Sequence, residues 1–327
     1  MNHLAFIKGR EPIDLSRDLK LAIGEYAPGN QVIASKLLFN IDGIKVLKDK
    51  KIPEINYAIC LHCNRFYKDK DIPESKICCA DTLEIKQYLT PEYGFICNKV
   101  PEKALGRLPN RDRVVDIETF AGPYDMQFKP FILGFHKYLE SQGSIAYINT
   151  NKKFGYHFDK NTGESKNVKI KSNLHLGYDF ATDILALLPS DIVSQFNIYN
   201  LQNKYWPKDI FDGDENKAFW YSIIFGIINT ACEYLDLDDR ALNGLVTRIN
   251  GKDTLIIYDT VPGGAGFSRR VHDNFSGIIN SIVNKMEKCS CDSSCYNCLR
   301  GYSNQKHHYR LNRLAVIDYF NAVLGKE

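Results

Sequence analysis

The sequence has no apolar run long enough to cross a bilayer, which takes roughly 18–20 residues. The nearest approach, 218–235, is interrupted by Asn229 and Glu233. The opening, M-N-H-L-A-F-I-K, carries no apolar stretch of the kind that heads an exported chain. The expectation is therefore a cytoplasmic protein, with no membrane partner, whose thiols stay reduced. Low-complexity tracts and evident internal repeats are missing too, which leaves a folded protein as the expectation. No G-x-x-x-x-G-K followed by Ser or Thr occurs, so the backbone cradle that usually holds nucleotide phosphates is absent and the chain is not expected to hydrolyse ATP by itself. Charge of either sign is in little excess: the net charge is +3, too small to name a partner.

What is present is ordinary in bulk and particular in places. With 327 residues, 44% hydrophobic and 25% charged, the chain is a folded protein of one large domain or two. Cysteine is plentiful, ten in all. Cys289, Cys291, Cys295 and Cys298 stand together as C-S-C-D-S-S-C-Y-N-C. Zinc takes four thiolates at about 2.3 Å, and gaps this short bring sulfurs together on tight loops. Zinc is the expected cofactor; an iron–sulfur cluster, which also uses four cysteines, is the other metal option. A second group opens at Cys60-Leu61-His62-Cys63, half of a zinc ribbon. Its other half is only the adjacent pair Cys78-Cys79, and neighbouring cysteines rarely both reach one ion. Cys60, Cys63, Cys78 and Cys79 form a tentative second site, with Cys97 or His62 as possible substitutes for the fourth ligand. Cys232 falls in an apolar segment and reads as a core thiol.

Along the chain, a helical stripe of Leu15, Leu19, Leu21, Ala22 and Ile23 ends at Pro28-Gly29-Asn30, and short strands follow up to about residue 47. Segment 128–139 reads as a strand or short helix. Segments 144–149 and 154–158 alternate like a hairpin around Thr150-Asn151-Lys152, and 159–173 reads as a polar loop. Segment 179–188 is a strand cut short by Pro189. Segment 215–235 is the clearest helix, apolar nearly all round and hence buried. A buried strand at 254–258, an amphipathic helix at 267–286 and a last helix at 311–324 complete an α+β fold, in which helices and short sheets mix around a C-terminal four-cysteine zinc knuckle. The division expected is a small β-rich segment with a cysteine knuckle over 1–100 and a zinc-binding domain over 101–327.

Between strand 254–258 and helix 267–286 lies D-T-V-P-G-G-A-G. Glycines at a helix N-terminus can bind an anion through converging N–H groups. Close packing is the favoured reading, because this is not the dinucleotide pattern G-x-G-x-x-G. The run Y-D-T-V-P-G-G-A-G-F, the helix after it, and C-S-C-D-S-S-C-Y-N-C-L-R-G-Y-S-N-Q-K-H-H-Y-R-L-N-R together resemble the MrfA-type zinc-binding (MZB) domain. Stretches at 26–32, 88–95, 180–187 and 219–224 look similar as well. The resemblance implies zinc on Cys289, Cys291, Cys295 and Cys298, and a place beside the DEAD/DEAH-box superfamily 2 helicases that end in this domain, in DNA repair or in phage-defence systems. The ATPase lobes of that family are missing from this sequence, so a separate helicase or ATPase subunit is the expected partner.

No Asp or Glu stands between Ser293 and Val316. Arg300, Lys306, Arg310 and Arg313 supply positive charge there, with His307 and His308 nearby and Tyr296, Tyr302 and Tyr309 interleaved. Cations with aromatics suit phosphate contact and base stacking, so weak, sequence-independent DNA binding is expected at Arg300, Lys306, His307, Arg310 and Arg313. The leading reading is a non-catalytic zinc module that contacts DNA or docks on the motor. Its rivals are a metal-dependent nuclease using Asp179, Asp183 and Asp259, and a scaffold that binds protein only.

Overall fold

A computed structural model describes residues 4–5, 15, 17–48, 50–63, 65–79, 81–97, 99–111, 117–122, 126–166, 168, 170–190, 198–207, 215–249 and 251–325. The fold is α+β. It divides into two compact units, built mainly from 1–120 with 146–179 and from 121–145 with 180–327, so the chain passes between them more than once.

The first unit is mostly sheet. Helix α1 (Leu19–Glu25) starts where the Asp18 side chain accepts the Lys20 N–H at 3.0 Å, and it buries Ala22, Ile23 and Gly24. A three-stranded sheet holds β1 (Leu4–Ala5), β10 (Phe95–Ile96) and β4 (Gly43–Ile44), in that order. A second holds β11 (Glu102–Lys103), β3 (Leu37–Asn40) and β2 (Gln31–Ala34). β5 (Glu54–Ile59) lies antiparallel to both β6 (Phe66–Lys68) and β9 (Lys86–Leu89), and the start of β15 (Leu174–Pro189) runs parallel to β9. β7 (Ile77–Cys78) and β8 (Asp81–Thr82) form a minimal hairpin. Tyr57, Tyr88 and Ile148 pack as a small core beside the stacked rings of Phe66 and Phe120. The expected strand at 154–158 is not one. Asn151, Lys152 and Lys153 all adopt positive φ, and after this left-handed run 154–158 makes only scattered backbone contacts: Tyr156 N–H donates to Leu174 O at 2.7 Å, Phe154 O accepts the Ser172 N–H at 2.8 Å, and Phe158 forms an isolated bridge with Ser165.

Between these elements come β12 (Ile117–Gly122), β13 (Lys129–Ile132) and β14 (Phe135–Asn149); segment 128–139 is thus strand and not helix, but it turns at Leu133-Gly134, and β13 pairs antiparallel with β14. In the second unit β15 pairs antiparallel with β17 (Lys252–Asp259), which pairs with β16 (Leu242–Ile249). Helices α2 (Ile198–Tyr205), α3 (Glu215–Tyr234), α4 (Phe267–Asp273), α5 (Phe275–Glu287) and α6 (Arg313–Leu324) supply the rest.

α3 is buried on most of its surface, as its all-round apolar pattern requires. Phe219, Ile223, Ile224 and Ile227 meet Leu255 and Ile257 of β17, Ile278 and Ile282 of α5, and Val316 and Phe320 of α6 in one core. Cys232 sits in that core. Gly244 is what lets β16 approach α3: a Cβ there would stand 2.6 Å from the Ile224 side chain and 2.8 Å from that of Ile228. The helix expected over 267–286 is two. Asn274 interrupts it, with φ −102 and ψ 15 outside the helical range, while its backbone N–H and its side-chain amide both donate to the Arg270 carbonyl, at 3.1 and 2.9 Å. Among the described residues no helix is long and apolar enough to cross a membrane.

Candidate metal centre and the segment beside it

α5 ends at Glu287, with Met286 fully buried, and the next ten residues fold back on themselves. The Cys295 carbonyl accepts the N–H groups of Cys298, Leu299 and Arg300 at 3.2, 3.1 and 2.9 Å. This tight turn, which three consecutive N–H groups close, points the sulfurs of Cys295 and Cys298 the same way. Those of Cys289 and Cys291 meet them. Sulfur–sulfur distances are 3.4 Å for Cys289–Cys291, 3.3 Å for Cys289–Cys295, 3.7 Å for Cys291–Cys298 and 3.8 Å for Cys295–Cys298. A tetrahedral ion with sulfur at about 2.3 Å sets its ligands about 3.8 Å apart, so this donor set fits one zinc ion. An iron–sulfur cubane would spread its cysteines wider. The Cys295 N–H points at Cys298 Sγ from 3.1 Å, a bond that favours the thiolate. In the metal-free chain Cys298 stays a thiol, because burial pushes its pKa up, whereas the Cys291 backbone N–H lowers that of Cys289 to about 7. Zinc would have to displace protons here, and would hold less firmly as pH falls.

Several side chains lock the loop from outside. Asn229 of α3 donates to the Cys298 carbonyl at 2.8 Å. Arg313 donates to the Cys291 carbonyl at 2.7 Å and to that of Met286 at 3.3 Å, and its own N–H reaches Ser293 O at 2.7 Å. Leu299 is wholly buried in the main core. Sequence reasoning saw Asn229 only as a break in an apolar run. A lone amide in a helix buried nearly all round was the signal that it meets a backbone group.

The segment expected to meet nucleic acid forms a 3₁₀ helix, Tyr302–Arg310. Asn304 anchors it, its amide donating to Leu299 O at 2.9 Å and its oxygen accepting the Gly301 N–H at 2.8 Å. The five named residues separate here. Lys306 is exposed, and Arg310 lies with its guanidinium 4.7 Å from the centre of the exposed Tyr309 ring. Arg300 donates to Ser294 Oγ at 2.9 Å. Arg313 holds the cysteine loop, as above. His307 faces inward, its ring stacked 3.7 Å from that of Tyr221.

Burial, with Lys306 and Arg310 adding to it, pushes the His307 pKa down to about 2. The folded state therefore keeps this ring neutral while the unfolded chain takes a proton below about pH 6.5. His307 supports stability above that pH, and the support is lost as pH falls from about 6.5 toward 2. Between pH 6.5 and 5 the loss should be about 2 kcal/mol, at 1.36 kcal/mol per pH unit. His307→Phe keeps the stack and removes the proton. Its denaturation midpoint should fall less than the parent's between pH 7 and 5, under conditions where zinc content is unchanged. An identical fall in both would show that His307 is not the acid-sensitive group.

The glycine loop is already filled by the protein's own carboxylates. Asp259 is fully buried at the end of β17 and accepts from Ala265, Phe267 and Ser268 N–H at 2.8, 2.9 and 2.7 Å, and from Ser268 Oγ at 2.6 Å. Asp183 accepts the Gly266 N–H at 3.1 Å. Gly264, at φ +75, leaves only enough room for the Asp183 carboxyl, which a Cβ would meet at 2.7 Å. In the first unit Asp179 takes Tyr88 OH at 2.6 Å and Lys68 Nζ at 2.7 Å. The three aspartates weighed for a nuclease thus each bind protein donors. Among the described residues the groups arranged to hold a metal ion are two cysteine tetrads. One is Cys289, Cys291, Cys295 and Cys298; the other is Cys60, Cys63, Cys78 and Cys79, which includes neither His62 nor Cys97.

Four cysteine sulfurs at tetrahedral spacing, backed by a helical core, give this α+β fold a site that fits one zinc ion. Residues 225–299, which run from mid-α3 through all four cysteines, match the MrfA Zn-binding domain family, MZB, and so bear out the resemblance read from the sequence over that stretch. The chain is also 28% identical over 148 residues to the Druantia protein DruE of Escherichia coli (strain UMEA 4076-1), a match covering 42% of this chain and 8% of that protein. It thus spans under a tenth of that curated relative. Similar solved structures include the DUF1998 helicase MrfA bound to DNA, at 14% identity and TM-score 0.38, covering 81% of this chain and 30% of that one. Another is a second structure of the DUF1998 helicase MrfA, at 15% identity and TM-score 0.29, covering 54% of this chain and 21% of that one.

Proposed function

We propose that this chain is a non-catalytic, zinc-stabilised module that works with a superfamily 2 helicase or ATPase subunit in DNA repair or antiviral defence in the cytoplasm, and that it contacts DNA with the segment that follows the zinc loop. The carrying observation is the anchorage of that segment. Leu299 and Asn304 tie residues 300–310 to the cysteine loop, so Lys306, Arg310 and the exposed rings of Tyr302 and Tyr309 project from a fixed base. Arg300, His307 and Arg313 shape and hold this surface from within. The match to the MrfA Zn-binding domain family favours a partnership with a motor, and the engaged aspartates weigh against the nuclease reading.

Binding through phosphate contacts releases counterions, so DNA affinity should fall with salt at a log–log slope of about −0.7 to −0.9 per contact. The parent chain and a Lys306→Ala/Arg310→Ala variant, titrated against labelled single- and double-stranded DNA, test this. The variant should keep its fold and zinc and bind with a flatter slope. Equal slopes would remove this surface as the site. If neither binds at low salt, protein docking becomes the function of the segment.

A further inference from the structure

We infer that Cys60, Cys63, Cys78 and Cys79 form a second structural zinc site, which staples the β5–β6 loop to the β7–β8 hairpin. The family match begins at residue 225 and does not reach these residues. Their four sulfurs all lie within 4.8 Å of one another, as do those of the C-terminal tetrad. That is compact enough for one tetrahedral ion and too compact for a cubane cluster.

Adjacent cysteines are the obstacle to such a site, because successive side chains of a strand point to opposite faces. The backbone removes it. Cys79 leaves the strand at φ +50, a left-handed turn that swings its side chain to the face of Cys78, and the two sulfurs stand 3.7 Å apart. A non-glycine residue at positive φ is uncommon and costs energy. The two-residue turn between β7 and β8 requires such a φ at its first position, and in meeting it the chain presents both sulfurs to one ion. Cys60 Sγ already lies 3.8 Å from the Cys78 carbonyl, so the two loops meet before any metal is added.

The hairpin itself calls for a staple. β7 and β8 are two residues each, far below the size at which a two-stranded hairpin holds itself in water. Ile77 at its start is exposed and lends it little apolar burial. A structural ion supplies what so small an element cannot bury. The same exposure sets this site apart from the C-terminal one. Cys79 is exposed and Cys78 half-buried, whereas Cys298 is fully buried. The outer zinc should therefore leave first.

The test uses the full chain purified without chelator. Elemental analysis should give about two zinc ions per chain, one for each tetrad. Transfer to the chromophoric chelator 4-(2-pyridylazo)resorcinol should proceed in two phases of similar amplitude. In a Cys78→Ser/Cys79→Ser variant the content should fall to about one, and the faster phase should vanish. Should that variant prove insoluble, the content and the two phases of the parent still decide. A parent with about one zinc that the variant retains in full would overturn the proposal, as would iron in this site. Loss of the single zinc in a Cys295→Ser variant alone would place that ion at the C-terminus and leave the outer tetrad empty.

Discussion

Cys298→Ser should lose the C-terminal zinc and, with it, the cooperative unfolding of the helical unit. Cys298 is the one fully buried ligand of its tetrad, it takes the Cys295 N–H, and its carbonyl is held by Asn229 of α3. The loop has no apolar interior of its own beyond Leu299. A bound ion would tie Cys289 and Cys291 to Cys295 and Cys298 through bonds that no side-chain packing replaces. Apparent binding energies for structural zinc reach about 10–16 kcal/mol in small zinc-folded peptides, so losing one ligand costs more than most domains have in reserve. Both tryptophans report on this region. Trp206 donates to the Arg310 carbonyl at 2.8 Å and Trp220 to Asp253 at 3.1 Å. Their emission should shift to the red at temperatures where the parent stays folded. Asn229→Ala removes only a hydrogen bond and should cost about 1–2 kcal/mol with zinc retained. A Cys298→Ser chain that holds its zinc and unfolds like the parent would show that the tetrad is not what closes this core.

Asp259→Ala should be the most costly substitution away from the cysteines. Four donors converge on this buried carboxylate, three of them backbone N–H groups at the start of α4. Deleting it leaves those groups buried without an acceptor, and breaking a buried charged arrangement from one side typically costs about 3–5 kcal/mol. Asp259→Asn should be little better, because its amide would present hydrogens to N–H donors. Gly264→Ala should add strain of its own against Asp183. Denaturant midpoints measure all three. A change below about 1 kcal/mol for Asp259→Ala, within the range of ordinary surface substitutions, would mean that the loop finds other partners.

Much of this was legible in the residues because short-range patterns carry it. The four C-terminal cysteines lie within one loop, so their spacing alone implied a shared ion. The all-round apolar face of 215–235 implied burial, and it is buried. What escaped the sequence depends on contacts between distant segments. The glycine loop could be read as an anion site or as close packing. It is a packed turn in which the anions are Asp259 and Asp183, the latter supplied from β15, some eighty positions earlier in the chain. β16 was not anticipated, because Asn243 and Gly244 dilute its pattern, and Gly244 is there for the approach of α3. His307 and Arg313 look like surface cations in a basic run. One is drawn in by Tyr221 and the other by two carbonyls of the metal loop, partners that no local pattern names.

We expect the C-terminal tetrad to hold a structural zinc through four sulfurs. X-ray absorption at the zinc edge on the full chain, purified without chelator, tests it most directly. The first shell should be sulfur alone at about 2.3 Å, four per zinc, with no metal–metal scattering. A shell containing nitrogen or oxygen, iron in place of zinc, or a chain without metal would contradict it.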